Sequence, residues 1–171
     1  MKKCLLSLAA MASIACAPAR AAIDNYSAFL FGSNEVGVVG GDPDGFGSAL
    51  VAIDNMANTV TWSILALNIA TPLTGAHIHQ APAGVNGSVI VNFSSALTGS
   101  NLPDVDLALI TPAEAASFYV NLHNATYPGG AIRGQLSYIG TVTAPIPEPE
   151  TYALMLAGLG VIGLLTRRRR G

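Results

Sequence analysis

Two strand-length runs with a turn signal between them, Ser48–Asp54 (SALVAID) and Thr59–Leu65 (TVTWSIL), limit the fold more than any other feature of the chain. The first ends at Asp54-Asn55, residues that favour a tight turn. The second is rich in β-branched side chains and carries Trp62, a composition suited to a pleated, half-buried surface. The pair reads as a β-hairpin. Val85–Phe93 gives another strand after Asn86-Gly87. Ser117–His123 and Ala131–Tyr138 form a second pair about Pro128-Gly129-Gly130. One short helical turn fits Thr111–Ala116, where Thr111 is a candidate cap and Glu114 lies three residues on. Short strands separated by turn clusters predict an all-β antiparallel sandwich or barrel.

The ends carry different signals. Residues 1–21 read as a signal peptide: Lys2 and Lys3, an apolar stretch from Cys4 to Cys16, and Ala19-Arg20-Ala21 as a cleavage site before Ala22. A lipoprotein alternative would use Cys16, but Ser13 stands where a branched apolar residue is wanted. The C-terminal stretch, residues 143–171, holds Pro147-Glu148-Pro149, an apolar run Tyr152–Leu165 and the arginines Arg167, Arg168, Arg169 and Arg170. Its prolines stiffen an extended linker and stop a strand. The apolar run predicts a short membrane helix, although its 14 residues fall below the ~20 of a full span. The terminal arginines stay on the cytoplasmic side by the positive-inside rule. This tail resembles the PEP-CTERM sorting signal of bacterial envelope proteins. The resemblance implies recognition by an exosortase-type membrane protease and cleavage near Pro149, often in bacteria that make exopolysaccharide. The bland alternative is an unprocessed anchor.

Residues 22–142 are left as one domain, long enough to bury a core without staples. Both cysteines, Cys4 and Cys16, lie in the export segment, so the domain has neither disulfide nor thiolate chemistry. Arg133 is its one cation against eight carboxylates, giving residues 22–146 a charge of −7 with neutral histidines. Such a surface cannot neutralise phosphates, which excludes nucleic acid as a partner.

Two segments stand out in the domain. One is Ala76-His77-Ile78-His79-Gln80 through Asn86-Gly87. The other is Tyr119-Val120-Asn121-Leu122-His123-Asn124, followed by Pro128-Gly129-Gly130-Ala131-Ile132-Arg133-Gly134-Gln135. With Glu35-Val36 they resemble the CHRD domain, widespread in bacterial secreted proteins. The resemblance implies a β-sandwich of immunoglobulin- or superoxide-dismutase-like appearance and no settled activity. Gly37 and Val38, Asn124 and Ala131 depart from the family pattern. Ala131 replaces the usual Glu, which removes a carboxylate two residues from Arg133.

All three histidines of the chain fall in these segments. On a strand His77 and His79 point to one face, since side chains alternate with period two. Joined by His123 they form a candidate Zn or Cu site with one position open. A hydrogen-bonded cluster that orders loops is the plainer alternative. His-x-His also resembles the copper-ligand strand of copper-zinc superoxide dismutases, but the chain has too few histidines for that site. Arg133 is expected to pair with a carboxylate or loop carbonyls, or else to hold an anionic ligand such as a uronic sugar. Asp42-Pro43-Asp44-Gly45 reads as a turn rather than a calcium loop. Asp104, Asp106 and Glu114 read as solvated acids rather than a hydrolase pair.

Two functions follow. The first is a non-enzymatic protein of the cell envelope or surface, sorted by its tail through the membrane, released to the matrix in some cases, and carrying a domain for binding or adhesion, with exopolysaccharide as a partner. The second is a small extracytoplasmic metal-binding protein, for redox or storage, using His77, His79 and His123.

Overall fold

Alternation of apolar and polar side chains lays down the strands. The computed structural model describes residues 20–101, 106–145, 154–160 and 162. Residues 1–19 of the expected signal peptide, Pro147-Glu148-Pro149, Arg167 to Arg170 and Asp104 lie outside the described residues.

Nine strands form: β1 Arg20–Phe31, β2 Phe46–Asp54, β3 Thr59–Leu67, β4 Leu73–Gln80, β5 Ser88–Asn92, β6 Thr98–Asn101, β7 Phe118–Asn124, β8 Ile132–Gln135 and β9 Ser137–Pro145. The expected hairpin is β2–β3, in unbroken antiparallel register from Phe46↔Leu67 to Asp54↔Thr59. Its turn is held by the Asp54 carboxylate, which accepts from the backbone N–H of Met56 and Ala57 at 2.9 Å each. Asn58 leaves the turn at φ 51°, a left-handed conformation that asparagine tolerates. The second expected pair is β7–β8, but the expected single strand Ala131–Tyr138 is interrupted at Leu136, and its last residues open β9. Pro112–Ser117 forms a 3-10 helix, and Thr111 stands at its N-cap without a side-chain capping bond. The expected cap therefore works only through its backbone: the Thr111 carbonyl accepts from Glu114 N–H at 3.1 Å.

The antiparallel all-β expectation holds, with the strands joined in one curled sheet where a two-sheet sandwich was expected. The pairing is continuous, in the order β5-β4-β7-β8-β1-β2-β3-β6, with β9 also on β1. The join between β8 and β1 is a single register pair, Phe31↔Arg133. The sheet curls so that both halves feed one core. Tyr26 and Leu30 of β1, Val51 and Ile53 of β2, and Trp62 of β3 meet Ile78, Val120, Leu122 and Ile132 from the other half. Trp62 stacks on Phe93 with ring centroids 4.3 Å apart, and its indole N–H reaches the Ala96 carbonyl at 3.0 Å. Tyr26 is fully buried, and its hydroxyl donates to the Ile110 carbonyl at 2.8 Å. Burial pushes that phenol up to about 12.

Strands β1 and β9 lie side by side, with the Asn25 amide donating to the Gly140 carbonyl at 3.3 Å and the Thr141 hydroxyl meeting the Asp24 carboxylate. β9 stops at Pro145, where the ring removes the next ladder donor.

The chain divides into two compact units, one of them Ala21–Ala144. In the other, residues 154–160 are helical and exposed. The expected membrane-spanning helix is not found: no helix of the described residues is long and apolar enough to cross a membrane. Tyr152, Ala153, Val161 and residues 163–165 of the expected run lie outside the described residues.

Candidate functional site

Strands β4, β7 and β8 send alternate side chains to opposite faces. Ala76, Ile78, Val120, Leu122 and Ile132 enter the core. The other face carries His77 and His79 from β4, Tyr119, Asn121 and His123 from β7, and Arg133 and Gln135 from β8. Register sets these residues in rows. His77 lies opposite Asn121, His79 opposite Tyr119 and Gly75 opposite His123. Across the next ladder Asn121 lies opposite Arg133 and Tyr119 opposite Gln135. Asn121 is thus central, with a histidine across from it and another two residues along its own strand.

The three histidines meet. One ring nitrogen from each lies within 4.8 Å of the others, so a single point stands within about 2.8 Å of all three. Nitrogens around a tetrahedral zinc are roughly 3.4 Å apart, so small ring movements would complete a coordination set. Two of the tautomers are fixed. His79 Nδ1 is 3.0 Å from the Gly87 carbonyl and His123 Nδ1 is 3.1 Å from the Pro128 carbonyl. A carbonyl only accepts, so each Nδ1 carries the proton and each Nε2 presents a lone pair. Both Nε2 atoms are buried without a hydrogen-bond partner, as is Nδ1 of His77. A ring N–H held on a backbone carbonyl is the outer support that metal-binding imidazoles commonly have. Burial holds all three rings below the usual histidine range, and the neighbouring His123 and His79 bring His77 down to about 4. They are therefore neutral, the ligand form, at neutral pH. Close packing requires glycine beside them, since a Cβ at Gly75 would meet His77 Cε1 at 2.8 Å.

Arg133 is 1% exposed and is satisfied by uncharged groups. It donates to Asn86 Oδ1 at 3.2 Å, Pro82 O at 3.1 Å, Val85 O at 2.8 Å and Gln135 Oε1 at 3.2 Å. Its guanidinium lies 3.4 Å over the Tyr119 ring, and that ring stacks on His79 with centroids 4.9 Å apart. Of the alternatives open in the sequence, loop carbonyls hold this cation. The arginine pins the loop that supplies Gly87 O to His79.

Glu35 is the residue that sequence reasoning did not single out as part of a site. It lies beyond β1 and packs against Gly130, where a Cβ would run into its carboxylate and where φ is 144°. Asn121 Nδ2 faces its Oε2 at 3.5 Å, and its Oε1 is buried without a partner. Burial raises this carboxyl to about 7, with Arg133 and the Asn121 amide opposing the rise. Asn121 and Tyr119 share a face with His123 at period two, a signal visible in the sequence. Glu35 arrives through a loop, which no periodicity announces. Asp42 and Asp106 serve their own turns: the Asp42 carboxylate accepts from Asp44 N–H and that of Asp106 from Ala108 N–H.

Comparison with curated proteins and with solved structures gave no match. Comparison with protein families gave two. Residues 145–170 match the PEP-CTERM protein-sorting motif, which marks the chain for export to the cell envelope and for exosortase processing. Residues 26–136 match the CHRD domain, a span that holds Glu35, all three histidines and Arg133. The chain belongs to the CHRD-domain family.

Proposed function

We propose that this is a non-enzymatic cell-surface protein, cleaved near Ala22 and again near Pro149, whose CHRD domain binds one transition-metal ion through His77, His79 and His123. The observation that carries the reading is the convergence of three ring nitrogens within 4.8 Å, two of them with their opposite nitrogen fixed on a carbonyl. Imidazole donors in this number suit Zn²⁺ or Cu²⁺ and leave a fourth position open. The tail holds the precursor at the membrane and hands it to the exosortase, and the domain then remains at the surface or enters an exopolysaccharide matrix. Binding to that matrix runs through the acidic surface and bridging cations, since the one cation of the domain is buried. The two halves of the curled sheet face each other across the core as the layers of a sandwich do.

Metal analysis of the purified full-length chain tests the reading. One equivalent of zinc or copper is expected in the natural sequence and less than a tenth of that in His79→Ala. Equal metal content in the two proteins overturns it.

A further inference from the structure

Five buried side-chain atoms among the described residues have no hydrogen-bond partner: His77 Nδ1, His79 Nε2, His123 Nε2, Asn121 Oδ1 and Glu35 Oε1. Buried polar atoms are ordinarily paired, and one left alone costs about 1–3 kcal/mol. All five lie on the outer face of β4 and β7 or on the loop packed against it. The set is short of donors. Asn121 and Glu35 contribute oxygens, and His79 and His123 present bare lone pairs because their protons are committed to Gly87 and Pro128. Among the described residues, Asn121 Nδ2 is directed to Glu35 Oε2 and the Arg133 Nη1 and Nη2 groups are directed to four other acceptors.

One chemical unit answers all five atoms together. A divalent ion takes three imidazole nitrogens and keeps one water in its fourth position. That water has two hydrogens, and two oxygens await donors. We propose that Glu35 and Asn121 are positioning residues that hold a metal-bound water, Glu35 Oε1 accepting one hydrogen and Asn121 Oδ1 the other. The inference rests on the metal reading above and extends it: the ion keeps an open, solvent-bearing position and is not sealed by a fourth side chain. Register supports the placement, since Asn121 is directly opposite His77 and two residues from His123. Recesses of about 440 and 470 Å³ both have Glu35 in their walls, so the far side of this residue is close to solvent.

Cobalt(II) replaces zinc and reports its coordination through visible absorption. The experiment titrates cobalt into the metal-free full-length chain, its Glu35→Gln variant and its Asn121→Asp variant, and follows each spectrum from pH 5 to 9. Outer supports of this kind are worth roughly 10- to 100-fold in metal affinity. Glu35→Gln is expected to bind cobalt at least 10-fold more weakly. It should also move the pH midpoint of the spectrum down, because a carboxylate beside the bound water opposes its ionisation. Asn121→Asp keeps an oxygen acceptor, adds negative charge and should move the midpoint up. A natural chain that takes up no cobalt overturns both this inference and the metal reading. Uptake with the same affinity and the same midpoint in all three proteins overturns this inference alone.

Discussion

Arg133 shows how one side chain can organise a loop through uncharged acceptors. Its planar fork serves Pro82 O, Val85 O and Asn86 Oδ1 on the loop, with Gln135 Oε1 beside it. Lysine cannot match that geometry. Arg133→Lys is expected to cost about 2–3 kcal/mol, read as a lower denaturant midpoint with an unchanged slope. Glu35 makes a second prediction at this scale. Its folded-state value of about 7 lies above the unfolded 4.5, so the stability it contributes is present below pH 4.5 and is lost as pH rises through 7. His77 acts in the opposite sense: held at about 4 against 6.5, it costs stability as pH falls from 6.5 towards 4. In the metal-free chain, Glu35→Gln should therefore gain about 1–2 kcal/mol at pH 8, after allowance for solvent screening. The gain should vanish near pH 4.5. Thermal melts of both proteins at the two pH values check it; an equal gain at each would contradict the assignment.

Elements written by local pattern were legible, and those written by distant contacts were not. The β2–β3 hairpin follows from alternation and an Asp-Asn turn, and β7–β8 from a Pro-Gly-Gly corner. His77 and His79 share a face because any strand would place them there, and His123 joins them because β7 lies beside β4. Strand β6 resisted reading, as Thr98–Asn101 is polar and pairs by register with Val60–Ser63. Most of β9 resisted it for the same reason, since its place is set by β1. Glu35 resisted it because a loop must fold back before the residue acquires surroundings. Within the hairpin, Trp62 bears the heaviest packing: it stacks on Phe93 and covers Gly99. Trp62→Ala should cost about 3–5 kcal/mol, seen as a drop in melting temperature. Gly99→Ala should also destabilise, since its Cβ would meet the indole at 2.6 Å.

At the level of the whole molecule, two cuts should define the mature protein. Mass spectrometry of the protein from its native host is expected to show a chain beginning near Ala22 and ending near Pro149. A chain intact at both ends would contradict the sorting reading. The neighbouring strands β1 and β9 add a directional consequence. Contacts at Asp24–Thr141 and Asn25–Gly140 bring the start of β1 beside the end of β9, so the backbone enters and leaves the domain at one pole. From Ala21 to Phe31 the strand advances about 33 Å, and Glu35 follows just past its tip. Within the unit Ala21–Ala144, the pocket to which Glu35 contributes therefore lies towards the opposite end of β1 from the residues where the backbone enters and leaves.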